Sequence, residues 1–179
     1  MHDTVGKTLF WSYSNLAMAH SAVSSQCDKY SVVHYKIRAK LYKGLVEGRM
    51  NIGTLFDDEK VKLKSGSVCC YCGSEEKLSI DHIFPRAIGG SDSGDNLVYS
   101  CQSCNSSKGK KDMLKWMEDK GKFAPLSILR RYLKLSISYS IENEIMMFEK
   151  EKFDDLKAPF NIDLIPIKYP SPNKLIWSF

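Results

Sequence analysis

The chain has 179 residues, 43% of them apolar and 26% charged, which suffices to bury one sizeable core but scarcely two. Its formal charge is only +5. No apolar run approaches the ~18 residues of a membrane helix, and the N-terminus lacks the basic segment, apolar stretch and small-residue cleavage site of a secretory leader. A soluble, cytoplasmic protein with no membrane partner is the expectation.

The first predicted element is an amphipathic helix over 8–29, with Leu9, Phe10, Tyr13, Leu16, Ala17 and His20 at spacings of three and four. A second runs over 31–47 through Val33, Ile37, Leu41, Tyr42 and Leu45, and carries Lys36, Arg38, Lys40 and Lys43 on its polar side, where they could meet phosphates. Asn51, Gly53 and Thr54 read as a loop and cap before a shorter helix over 55–63, which Ser65, Gly66 and Ser67 break. From 68 to 109 the character changes to short apolar runs between glycines, serines and aspartates, the pattern of short strands and loops. Helical spacing resumes over 112–120 and again from Pro125 to about 139, where Leu126, Leu129, Leu133 and Ile137 form the apolar face and Arg130, Arg131 and Lys134 lie opposite. Four prolines after Phe153 predict an extended tail lying on the body.

Charge is unevenly spread. Residues 1–68 carry 10 Lys and Arg against 6 acids and residues 105–135 carry 9 against 3, whereas 69–104 have 2 against 5. Positive flanks around a locally acidic centre suit a phosphate-binding surface around a cation site, although solvated helix faces would give the same count.

Four of the six cysteines form two Cys-x-x-Cys pairs, Cys69/Cys72 and Cys101/Cys104. Paired thiolates at this spacing suit a closed tetrahedral zinc site of structural type, in a reducing compartment where disulfides do not persist. A disulfide pair, a redox Cys-x-x-Cys or an iron–sulfur cluster are the competing readings. Cys70 and Cys27 read as ordinary buried thiols. Between and after the pairs stand Asp81-His82-Ile83-Phe84-Pro85-Arg86, Gly89-Gly90, Asp95-Asn96-Leu97 and Cys104-Asn105-x-x-Lys108. A lone histidine is more often structural, and isolated asparagines and glycines are turn residues. It is their conjunction with the cysteine frame that points to chemistry.

This segment resembles the HNH endonuclease family, or ββα-metal fold, in its zinc-stapled branch, and the flanking helices look like those of small stand-alone bacterial and phage members. The resemblance implies an α+β fold, a small zinc-bound ββα-metal core flanked by N- and C-terminal helices. The implied division is a helical segment 1–67, a nuclease module 68–121, and a C-terminal helix and tail 122–179, packed as one unit. It also implies His82 as general base, with Asp81 and Asn105 holding one divalent cation. Asn96 takes the second signature position, bracing the loop or orienting the imidazole. Lys108, Arg86, Lys110 and Lys111 would meet phosphate. Because the third position is Asn105 rather than histidine, a hard Mg²⁺ or Mn²⁺ ion is expected there, with Zn²⁺ confined to the four cysteines. The implied activity is hydrolysis of DNA phosphodiesters to 5′-phosphate and 3′-hydroxyl ends. A zinc module that only binds nucleic acid, or a nuclease subunit silent without a protein partner supplying specificity, are the alternatives. Adjacent strand residues point to opposite faces, so Asp81 and His82 can serve one site only at a strand end.

Overall fold

A computed structural model describes residues 3–64 and 67–179. Helix α1 (Val5–Ser24) starts where the Thr4 hydroxyl accepts the Lys7 N–H at 3.3 Å. It stops before the expected residue 29 because Gln26 turns left-handed, with φ 53°, and the Cys27 N–H returns to the Ala22 carbonyl at 2.9 Å. Helix α2 (Val32–Val46) begins at Ser31, whose backbone N–H donates to His34 Nδ1 at 2.9 Å. Helix α3 covers Leu55–Lys64; the break expected at Ser65 and Gly66 lies outside the described residues.

Strands β1 (Leu78–His82) and β2 (Leu97–Cys101) pair antiparallel, with Ile80 opposite Tyr99 and His82 opposite Leu97. Helix α4 (Gln102–Lys108) leaves β2 without a connecting loop, since Cys101 is both the last strand residue and the cap that accepts the Cys104 N–H at 3.4 Å. Helix α5 (Met113–Asp119) is capped by the Asp112 carboxylate, bonded to the amides of Leu114 and Lys115 at 2.8 and 3.2 Å. Helix α6 spans Leu126–Glu142 with Pro125 just outside it. The result, among the described residues, is an α+β fold, two strands and the short helix α4 flanked by five further helices.

Helix α6 is the centre of the core. Leu129, Leu133 and Ile137 are fully buried in one cluster with Leu9 of α1, Ile83 beyond β1, and Met113 of α5, so the expected apolar face is the buried one. The opposite face departs from a simple polar surface. Arg131 and Lys134 are 3% and 2% exposed, because the acidic start of α3 and the loop before β2 supply partners. Lys134 Nζ donates to Asp58 Oδ2 at 2.6 Å and to the Thr54 carbonyl at 2.7 Å, and Arg130 Nε donates to Asp58 Oδ1 at 2.5 Å. Arg131 donates to the carbonyls of Asp95 and Gly94 at 2.6 and 2.8 Å and pairs with Glu59. Buried charges persist only when paired in this way.

The tail is not extended throughout, as the prolines suggested. It forms short 3-10 turns at Lys150–Leu156, Ile162–Leu164 and Pro172–Lys174, a conformation whose φ proline tolerates. It does lie on the body. The carbonyls of Ile176 and Trp177 accept the first-turn amides of α6, from Leu126 and Ser127 at 2.9 and 2.8 Å, which no helical partner could satisfy. The Ile167 carbonyl accepts Trp11 Nε1–H at 3.0 Å. Among the described residues no helix is long and apolar enough to cross a membrane.

Candidate metal centre and active site

The cysteine pairs come from a turn and from a strand end. Residues 69–72 fold tightly, the Gly73 N–H reaching the Cys69 carbonyl at 2.9 Å, and the Cys70 N–H ties the turn to the Tyr99 carbonyl of β2 at 2.9 Å. Cys101 and Cys104 sit where β2 becomes α4. The four sulfurs all lie within 4.8 Å of one another, and Cys72 Sγ is 3.7 Å from Cys101 Sγ. Bonds of about 2.3 Å to a tetrahedral ion imply an edge of about 3.8 Å, so the thiols fit a closed four-sulfur metal site. Cys70 and Cys27 stand outside it.

Electrostatics also ask for a cation there. Burial opposes ionising Cys69, but backbone hydrogen bonds at Cys101, Tyr71 and Cys72, with the Cys72 thiol, outweigh it and lower its pKa to about 7. Burial, then contacts with the Cys101 and Cys72 thiols and the charge on Cys69, push Cys104 far above its ordinary value. One thiolate therefore hinders the next, a conflict that a metal bound among them removes.

The polar constellation lies on the seam between β1, its following loop and α4. Asp81 faces inward, 5% exposed. His82, its neighbour, occupies the last position of β1 and turns to the other side, with 24% of its side chain exposed. Its Nε2 lies 2.6 Å from Asp92 Oδ1. Asn105 projects from α4 back onto β1, its Nδ2 donating to Ser79 Oγ at 2.9 Å and the Ile80 carbonyl at 3.3 Å. That assigns the amide orientation and leaves Oδ1 as the atom able to meet a cation.

Asn96 is 1% exposed and spans the loop. Its Oδ1 accepts the Phe84 N–H at 2.8 Å, and its Nδ2 donates to the carbonyls of Phe84 at 2.9 Å and Ser91 at 2.7 Å. The side chain thus clamps the chain leaving β1 to the chain entering β2. Close packing continues at Gly90, where a Cβ would sit 1.7 Å from the Phe84 carbonyl oxygen, so no side chain fits.

The four basic residues divide. Lys108 faces inward, its side chain 0% exposed, with Nζ 3.1 Å from Asp81 and 2.7 Å from the His82 carbonyl oxygen. Arg86 is exposed, its Nη1 3.7 Å from Asp92 Oδ2. Lys110 and Lys111 are exposed beyond α4, and Lys111 pairs with Asp119 at 3.3 Å. Sequence reasoning missed two residues that touch this site. Asp92 has no motif signal beyond following Gly89-Gly90. Tyr71 lies between the ligands of the first cysteine pair, yet its hydroxyl reaches Asp81 Oδ2 at 2.8 Å. Burial, then the nearness of the titratable Cys70 and Asp81, raise its pKa well above the ordinary value, keeping the phenol a hydrogen-bond donor.

A strand pair, a cysteine-stapled turn and a helix returning an asparagine to the Asp-His strand coincide with residues 69–113, which match the family model described as HNH endonuclease. This segment is similar to the HNH endonucleases. The CRISPR-associated endonuclease Cas9 of Corynebacterium diphtheriae is 34% identical over 90 residues, an alignment covering 45% of this chain. The chain spans 8% of the length of that relative. No solved structure gives a significant match. The matched segment contains the cysteine frame and the Asp81-His82 strand; the surrounding helices lie largely outside it.

Proposed function

We propose that the chain is a metal-dependent endonuclease that hydrolyses DNA phosphodiesters at the HNH module, leaving 5′-phosphate and 3′-hydroxyl ends. The observation that carries this reading is the placement of His82 at the last position of β1, next in sequence to Asp81, with Asn105 of α4 folded back onto the same strand.

In-line hydrolysis requires a proton to leave the attacking water, and the His82 imidazole is the base suited to take it near neutral pH. Asp92, bonded to Nε2, leaves Nδ1 as the nitrogen available to the water. Asp81 and Asn105 Oδ1 are the oxygens that would hold Mg²⁺ or Mn²⁺. A carboxylate offers about four lone-pair directions, and Tyr71 and Lys108 occupy only some of them. When bound, such an ion supplies charge neutralisation at the phosphate and the departing 3′ oxygen. Asn96 keeps the loop carrying Asp92 in register with the end of β1. Arg86, Lys110 and Lys111 are exposed cations of the module able to meet the DNA backbone. Lys108 serves instead from within, through Asp81. Zinc is the ion proposed for the four cysteines, where it makes the fold and does no chemistry.

Plasmid cleavage with a panel of divalent ions tests the proposal. Mg²⁺ or Mn²⁺ should support nicking or cutting, and His82→Ala should abolish it while keeping fold and zinc content. Equal cleavage by the two proteins rejects the mechanism, and a DNA mobility shift without product under every ion supports a module that only binds.

A further inference from the structure

The Tyr71 hydroxyl occupies an unusual position. Tyr71 is the third residue of the Cys69-x-x-Cys72 turn, so the metal bound by the cysteines would fix its backbone on both sides. Its ring is 3% exposed and packs edge-on against Trp116 of α5, with centroids 5.0 Å apart. From that anchored ring the hydroxyl donates to Asp81 Oδ2 at 2.8 Å. Lys108 of α4 also meets this carboxylate, but the phenol bond comes from the cysteine turn.

We infer that Tyr71 is a positioning residue that couples the cysteine-bound metal to the catalytic cation, by holding the Asp81 carboxylate in the orientation needed to bind that cation. The inference rests on the nuclease reading above for the identity of Asp81 as a cation ligand. Three features argue for positioning rather than filling. A phenylalanine would bury the same ring and satisfy the Trp116 contact, so the hydroxyl is unnecessary for packing. Asp81 already has a charged partner in Lys108, with Nζ at 3.1 Å, so Tyr71 is not needed to neutralise it. Lys108 alone leaves the carboxylate poorly oriented, because its Nζ is 3.1 Å from each of the two oxygens and three rotatable donors impose little direction. A phenol held by a stapled turn selects one oxygen and sets the carboxylate plane. Partners that orient metal ligands in this way are typically worth about 10–100-fold in affinity or activity.

The test uses the full zinc-loaded chain. Mn²⁺ binding is followed by electron paramagnetic resonance in the His82→Ala background with duplex DNA present, so that affinity is read without turnover. Adding Tyr71→Phe should weaken Mn²⁺ binding by about tenfold, with zinc content and melting temperature unchanged. The same substitution in an Asp81→Asn, His82→Ala chain should cause no further loss, because the carboxylate through which Tyr71 acts is gone. In the otherwise native protein, Tyr71→Phe should lower kcat at limiting Mn²⁺ and recover at high Mn²⁺, with KM for DNA unchanged. Mn²⁺ affinity that is unchanged or raised by Tyr71→Phe, while the native protein cuts DNA, overturns the assignment of Tyr71 alone. A native protein that cuts no DNA under any divalent ion overturns the nuclease reading instead. If Tyr71→Phe loses zinc or melts early, the residue is structural and the inference also fails.

Discussion

The Lys108 ammonium and the Asp81 carboxylate meet at 3.1 Å with side chains 0% and 6% exposed, joining α4 to β1. A pair so deeply buried stabilises little relative to an apolar replacement of both partners, yet removing one partner leaves the other charged and unsolvated. Lys108→Met is therefore expected to cost about 3–5 kcal/mol in urea unfolding of the zinc-loaded protein. Adding Asp81→Asn should restore much of that loss. Additive losses in the double variant would show that the two groups do not act as a pair.

Asn96 satisfies three backbone groups from one side chain, the two of Phe84 being buried. Asn96→Ala leaves those groups unpaired and is expected to destabilise the protein by about 2–4 kcal/mol. Cleavage should fall as well, since Phe84 and Ser91 carry the chain on either side of the His82–Asp92 contact. Denaturation midpoints together with cleavage rates check both effects; a stability within 0.5 kcal/mol of the native protein, roughly the range of neutral surface changes, would contradict the clamp.

Removing the cysteine-bound metal should melt the module from the staple outward. Burial and mutual contact raise Cys104 and Cys72 and thereby disfavour a second thiolate in the metal-free chain, and the turn at 69–72 has few other ties to β2. Chelation, or Cys101→Ser, is expected to remove hydrogen-exchange protection from β1, β2 and α4, while amides of α1 stay protected. Full retention of protection across 78–108 after verified metal loss would refute the structural role.

Asp92 titrates below the ordinary carboxylate value of 3.8 because of its hydrogen bond to His82, with Arg86 adding to the effect. A depressed folded-state pKa favours the native state above the unfolded pKa and loses that contribution as pH falls through the folded value, so the window lies at pH below about 3.8 and not near neutrality. In His82→Ala the Asp92 carboxyl should move back toward 3.8, as read by carbon NMR titration. No movement would mean that the 2.6 Å contact is not maintained in solution.

Much of this architecture was readable in the residues. Repeats of three and four marked the helices, and the apolar face from Leu126 to Ile137 was the buried one, because periodicity records which side meets a core. The two Cys-x-x-Cys pairs marked the thiol cluster, because chelation demands those residue types at short spacings, and the Asp81-His82 to Asn105 series carried the resemblance to the HNH family. The basic side of α6 was less legible. Arg131 and Lys134 look like a solvent face in isolation, and only the approach of Asp58, Glu59 and the 94–95 carbonyls turns them inward.

What the sequence determined by itself was therefore the local chemistry: the element types, the thiol set and the Asp-His strand. Which donors surround Asp81 was a matter for the tertiary structure. A lysine in a basic stretch carries no mark of whether its ammonium will meet a DNA phosphate or a buried carboxylate 27 residues away. Nor does a tyrosine between two cysteines reveal that its hydroxyl crosses to another element. Hydrogen bonds between distant segments depend on how closed elements dock, and docking is set by burial summed over the whole core rather than by any motif.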